Sequence, residues 1–207
     1  MAIRCAVLIV TTDAEPISDE AVDGVRSLLR QNVPALFFVE ERRVASQRHL
    51  IEEILRRWCD EEEMDFVLTV GGTFPAPGHS GEQITPEATA AVLERAMPSL
   101  PEAMRAYAVA EEVEALLDRG VAGIRTRTLI VNLPGTERLA LLFAEAIGDM
   151  IGPIVARLQP LQEQTSTSVS IVHAPVSDLQ TKPRSAGLDA DEFAAFLAAR
   201  RADESNS

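Results

Sequence analysis

Three short stretches carry residue types that can hold an anionic ligand: Gly71-Gly72-Thr73, Thr85-Pro86-Glu87 and Leu133-Pro134-Gly135-Thr136. The first ends an apolar run, Phe66-Val67-Leu68-Thr69-Val70, where paired glycines let backbone approach a ligand closely. The second reads as a helix start, with Thr85 as the cap, Pro86 at the first helical position and Glu87 favourable to the helix dipole. The third breaks the apolar run Thr128 to Leu133 and offers Thr136 as another cap. Two helix N-termini supply unpaired N–H groups suited to an anion. Arg119, Arg125, Arg127 and Arg138 cluster in sequence around the last stretch and are the candidates for a basic patch. Each feature alone also fits an ordinary strand end or turn, and each arginine a solvated surface residue; the case rests on their co-occurrence.

These stretches need elements to position them. Ala6 to Val10 is a β-branched apolar run, followed by a helical stripe of Ala21, Val22, Val25, Leu28 and Leu29. Ala35 to Val39 predicts a second strand, and Leu50, Ile51, Ile54, Leu55 and Trp58 a second helix over 46–59. Helices are expected from Pro86 to about Met97 and from Thr136 to about Ile147. The alternation predicts an α/β fold: a doubly wound, mainly parallel sheet with helices on both faces. The expected division is a domain over 1–158 and a tail over 159–207, a polar linker followed by a short amphipathic helix from Asp189 to Arg201.

Bulk properties narrow the classes. The 207 residues are 46% hydrophobic but only 4% aromatic, so the core must be mostly aliphatic. A formal charge of −13 opposes attraction to nucleic acid or to an anionic membrane, so neither is expected as a partner. An anionic substrate then requires a locally basic pocket. Cys5 and Cys59 form no CxxC and predict neither zinc nor a disulfide. With no signal pattern or run of ~18 apolar residues, a cytoplasmic location is expected.

From Asp65 to Thr73, and again at Ile84-Thr85-Pro86-Glu87-Ala88-Thr89, the chain resembles the molybdopterin-binding family of molybdenum-cofactor biosynthesis, which includes molybdopterin adenylyltransferases and the gephyrin G domain. Pro101 to Arg105, Gly120 to Arg125 and Thr128 to Thr136 match in order and spacing, so the likeness covers roughly Ile3 to Leu158. It implies a doubly wound fold, a homo-oligomer that is most often a trimer, and molybdopterin as ligand or substrate, with ATP and Mg²⁺ if the chain is catalytic. Gly71, Gly72, Thr73, Thr85, Pro86, Glu87, Arg125, Leu133, Pro134, Gly135, Thr136 and Arg138 are then the expected substrate-binding residues.

The chain departs from the family at its acidic positions. An aspartate usual two residues before the threonine of Thr-Pro-Glu is Gln83 here, with Glu82 beside it. Those two are the candidate catalytic residues, and Glu82 the candidate metal ligand. The second acidic position aligns with Ser46, the fourth residue of a usual GGTG is Phe74, and a usual serine is Asp118. An amide brings no charge to offset a metal ion, so adenylyl transfer is expected to be weak or absent. The function read from the sequence is molybdopterin binding with possible adenylylation. The alternatives are a catalytically impaired binding or scaffolding homologue and, less favoured by Leu133 to Thr136, a nucleotide hydrolase of the competence-damage type.

Overall fold

The computed structural model describes residues 2–12, 17–76 and 83–159. The expected linker beyond residue 159 and the helix from Asp189 to Arg201 lie outside them. The first compact unit runs from Met1 to Gln162.

Among the described residues six strands form one sheet: β1 (Ile3–Thr11), β2 (Leu36–Ala45), β3 (Phe66–Val70), β4 (Arg95–Ala96), β5 (Ala122–Arg125) and β6 (Thr128–Leu133), in the order β2-β1-β3-β6-β5-β4. The pairs β1–β2, β1–β3 and β3–β6 are parallel. The pairs β5–β6 and β4–β5 are antiparallel, so the doubly wound, mainly parallel sheet carries an antiparallel edge.

Alternation along the central strands builds two cores. Cys5, Val7, Ile9, Phe66, Leu68, Val70, Leu129 and Val131 pack against α1 (Asp19–Asn32), α4 (Ser99–Ala108) and α5 (Glu137–Leu158). Ala6, Leu8, Val10, Val67 and Ile130 face the other way, onto α2 (Arg48–Asp60) and α3 (Thr85–Val92). Because both faces are covered, the strands read as continuous apolar runs.

Where the elements differ from expectation, the cause is local. Strand β2 continues through Glu40-Glu41-Arg42-Arg43 to Ala45, since among the described residues only one of its edges is paired and its exposed side tolerates charge. Helix α3 stops at Val92, where the chain turns to make β4 against Gly123 and Ile124. Helix α5 passes the expected end at Ile147 and continues through Pro153 to Leu158. By length and composition α5 resembles a membrane span, but Leu139, Phe143, Ile147, Ile151 and Val155 form its core face.

The strand order reverses between β1 and β3: the chain leaves β1 toward β2 on one side, and leaves β3 toward β6 on the other. Open α/β sheets bind ligands at the carboxyl ends of the strands flanking such a point. Gly71-Gly72-Thr73 emerges there.

Candidate functional site

The paired glycines have φ values of 94° and 72°, a left-handed region that L side chains avoid. A Cβ on Gly71 would strike the Ile17 side chain and the Val10 carbonyl, and one on Gly72 would strike the Thr85 hydroxyl. This turn therefore lies directly against the ends of β1 and α3. Gly71 donates its amide to the Leu133 carbonyl at 2.9 Å, and its own carbonyl accepts from the Thr85 hydroxyl at 2.9 Å. One turn thus joins all three sequence stretches at one edge.

Each helix start differs slightly from its sequence reading. Ile84 occupies the cap position of α3, Thr85 is already helical, and Pro86 follows one place later than expected. The Thr85 hydroxyl is consumed by Gly71 rather than by a cap bond. Thr136 does occupy the cap position of α5, but its exposed side chain makes no cap bond; its carbonyl accepts from Ala140 N at 2.9 Å. Leu133, Pro134 and Gly135 are buried behind it.

A second connection comes from the turn before β5. Arg119 donates its amide to the Thr73 carbonyl at 3.0 Å, and its guanidinium reaches the Gln83 carbonyl and both carboxylate oxygens of Glu87, at 2.7 and 2.9 Å. The neighbouring Asp118 is 4% exposed. One of its carboxylate oxygens accepts from Gly120 N at 3.0 Å and lies 3.5 Å from Arg105 Nη1. The other, like the buried Thr73 hydroxyl, completes no well-formed hydrogen bond. Burial pushes the Asp118 carboxyl above the ordinary carboxylate range, against the opposing pull of the Thr73 hydroxyl, the Gly120 amide and Arg105. Gly120 must be small, since a Cβ there would crowd that carboxylate.

Beneath these groups sits Asn132, fully buried in β6. Its amide nitrogen donates to the Thr69 and Thr89 hydroxyls at 2.8 and 2.9 Å, and its oxygen accepts from Val121 N at 3.0 Å. It ties β3, α3 and the 118–121 turn into one rigid floor. Its polar side chain inside the apolar run Thr128 to Leu133 was the available sequence signal.

The four arginines close in sequence are not close in space. Arg119 and Arg138 stand at the site's end of the sheet, but Arg125 and Arg127 lie at the far end of β6, ~17 Å away at ~3.3 Å per residue. The β5–β6 hairpin carries the chain away and back, pairing Arg125 with Thr128 at the start of β6. Arg125 is held there by Asp60 at 2.6 Å and by the Val92 carbonyl, and Arg127 by Glu63 at 2.9 Å. Arg125 therefore does not join the other expected binding residues. Arg138 is tied to Glu111 at 2.5 Å and Glu112 at 2.6 Å.

The family described as "Probable molybdopterin binding domain" matches residues 8–153, which contain every residue of this edge named above. The chain belongs to that family. It is 41% identical to the molybdopterin adenylyltransferase of Helicobacter pylori over 124 residues, 60% of this chain and 66% of the relative, just under two thirds of that protein's length. It is 35% identical to the molybdopterin adenylyltransferase of Escherichia coli over 150 residues, 67% of this chain and 74% of the relative. Among solved structures, the molybdopterin biosynthesis enzyme MoaB of Thermus thermophilus is similar at 32% identity and a TM-score of 0.61, covering 75% of this chain and 96% of that one. The molybdopterin biosynthesis Mog protein of Mycobacterium ulcerans is similar at 28% identity and a TM-score of 0.66, covering 76% of this chain and all of that one.

In this molybdopterin-binding domain the altered positions meet at the Thr73-Phe74 turn. Gln83 is buried at a φ of 57°, and its side-chain oxygen accepts from Phe74 N at 3.0 Å. Phe74, where the family usually has glycine, is partly buried against the main core. Ser46 closes β2 beside the same edge, donating its amide to Thr11. Glu82, the expected metal ligand, lies outside the described residues. Among the described residues no three His, Cys, Asp or Glu side chains gather as a metal site. With Gln83 turned to Phe74 and Glu87 committed to Arg119, these residues do not fit a protein-built Mg²⁺ cage.

Beside the turn, a cavity of about 540 Å³ opens between α3, α4 and the 118–122 segment. Leu93, Pro98, Pro101 and Val121 give it apolar walls; Arg105, Asp118 and Arg119 give it polar groups. The volume falls within the range of small-molecule sites.

Proposed function

We propose that this chain binds molybdopterin at the edge formed by Gly71-Gly72-Thr73, Thr85-Pro86-Glu87 and Leu133 to Thr136, and adenylylates it with ATP. The supporting observation is that the Gly71-Gly72 turn hydrogen-bonds to both Leu133 and Thr85, which gathers the three stretches at the sheet's switch point. Relatives of 33 to 41% identity named molybdopterin adenylyltransferase support the choice of reaction.

The transfer balances simply. A pterin-phosphate oxygen forms a bond to the α-phosphorus of ATP as the bond from that phosphorus to the β-phosphate's bridging oxygen breaks; pyrophosphate leaves with the electron pair. A dianionic phosphate nucleophile has no proton to surrender, so the protein's contribution is alignment and charge neutralisation. The Glu87 amide at the start of α3 and the amides at the start of α5 fit that role, since Thr85 N is spent on the Gly72 carbonyl and Pro86 has no N–H. The close backbone at Gly71-Gly72 admits the ligand, and the buried network under Asn132 keeps the floor rigid. Any Mg²⁺ the transfer needs would have to come with the nucleotide, since the described residues offer it no carboxylate cluster.

One observation favours a second reading, a pterin-binding homologue without transfer: the Gln83 side chain, at the family's acidic position, is occupied by Phe74 N. Titration with molybdopterin, with and without Mg-ATP, followed by product analysis, separates the two. Adenylylated pterin and equimolar pyrophosphate support the transferase; tight pterin binding without either supports the second reading. In the latter case Gln83→Asp is expected to restore turnover.

A further inference from the structure

We propose that Arg105 is the phosphate-binding residue of the cavity beside the Thr73 turn. Its ligand is a phosphomonoester dianion carried on a flat heterocycle that fits between the apolar walls. The class of heterocycle rests on the molybdopterin reading above; the anion site does not.

The arginines that cluster in sequence are already engaged. Arg119 meets Glu87 through both carboxylate oxygens, Arg125 meets Asp60, and Arg138 meets two glutamates at 2.5 and 2.6 Å. An incoming anion must compete with a short ion pair at each. Arg105 is held differently. Its contacts among the described residues run through Nη1 alone, to the Asp118 carbonyl at 3.4 Å, the Gly120 carbonyl at 3.4 Å and an Asp118 carboxylate oxygen at 3.5 Å. A guanidinium has five N–H donors in a planar fork, so the Nε and Nη2 donors stay available for a bidentate phosphate contact. The side chain is a quarter exposed and lines the cavity from α4, with Nη1 against the 118–120 turn.

Asp118 holds Arg105 from the cavity wall. Its side chain is wholly buried and lines the same cavity; one oxygen takes Gly120 N and Arg105, and the other is near the Thr73 hydroxyl without a well-formed hydrogen bond. At 3.5 Å the single contact with Arg105 orients the guanidinium without saturating it. Of the carboxylates on the cavity wall, Glu94 is turned to Thr126 N at 3.0 Å, and Glu102 is exposed on α4.

The test is calorimetry on the full chain with orthophosphate, AMP and molybdopterin as separate ligands. Arg105→Ala is expected to weaken orthophosphate and molybdopterin by about tenfold or more, the loss of a hydrogen bond to a charged group. Arg105→Lys should lose less, and Arg57→Ala, on the far side of α2, nothing. Folded Arg105→Ala with unchanged orthophosphate affinity overturns the assignment. So does a loss confined to AMP, which would place the arginine on the nucleotide side. If the alanine variant does not fold, the Arg105 side-chain ¹⁵Nε resonance of the native chain decides: a shift at saturating orthophosphate supports the site, and none rejects it. Orthophosphate bound through Arg105 alongside no molybdopterin binding would sink the pterin reading and leave the anion site standing.

Discussion

Asn132 spends its whole amide inside the protein, giving both N–H bonds to Thr69 and Thr89 and taking one from Val121. Asn132→Leu fills the space but orphans those partners, and should lower unfolding free energy by about 2–4 kcal/mol in urea denaturation. A loss below half a kcal/mol would mean that water replaces the network. Asp118 makes a pH-dependent prediction. Its folded pKa is raised, so the fold favours the protonated form; that contribution is complete below the unfolded value of ~3.9 and is lost as pH rises through the folded value. Asp118→Asn cannot ionise and keeps it. Its Tm is therefore expected above the native Tm at pH 7 to 8, with the gap closing in acid; a gap that widens in acid contradicts the burial argument. Burial also pushes the Cys59 thiol up to about 12 and raises that of Cys5 further, so neither should react with iodoacetamide in the native protein at neutral pH.

The Gly71-Gly72 turn is the element on which the site depends, because its backbone occupies space that a side chain would need. Gly72→Ala adds a left-handed L residue and a collision with Thr85, and should cost roughly 2–4 kcal/mol while displacing the start of α3. Retention of both stability and ligand affinity would show that the turn is not constrained as described. The turn was legible because paired glycine after an apolar run has few other uses, and strand β3 begins and ends where the sequence places it. The strands with helix crossovers were legible for the same reason: both faces are buried, and continuous apolar runs advertise it. The arginine cluster was not. Sequence proximity ignores that the β5–β6 hairpin reverses direction, which sends Arg125 and Arg127 to the other end of the sheet while returning Arg138 to the site. Nor could spacing reveal that Phe74 turns to the core, or that Gln83 serves a backbone amide, since both depend on the conformation of one turn.

At the scale of the whole molecule, a chain of net charge −13 has to concentrate a small number of cations where an anion binds, and most of its arginines near the site are neutralised by glutamate or aspartate. Exposed Val113, Leu116 and Leu117 after α4 form an apolar strip that an isolated subunit would leave in water. A closed homotrimer is the assembly proposed, and light scattering at micromolar concentration should give three times the chain mass; a monomer across that range removes the assembly without touching the fold. Catalysis is the stronger claim and is tested directly by pyrophosphate release. With molybdopterin and Mg-ATP together, the native chain is expected to form one pyrophosphate per adenylylated pterin, and none when either substrate is omitted. Saturable molybdopterin binding with no pyrophosphate above the ATP-only control would contradict the transferase assignment, and no molybdopterin binding at all would contradict the site itself.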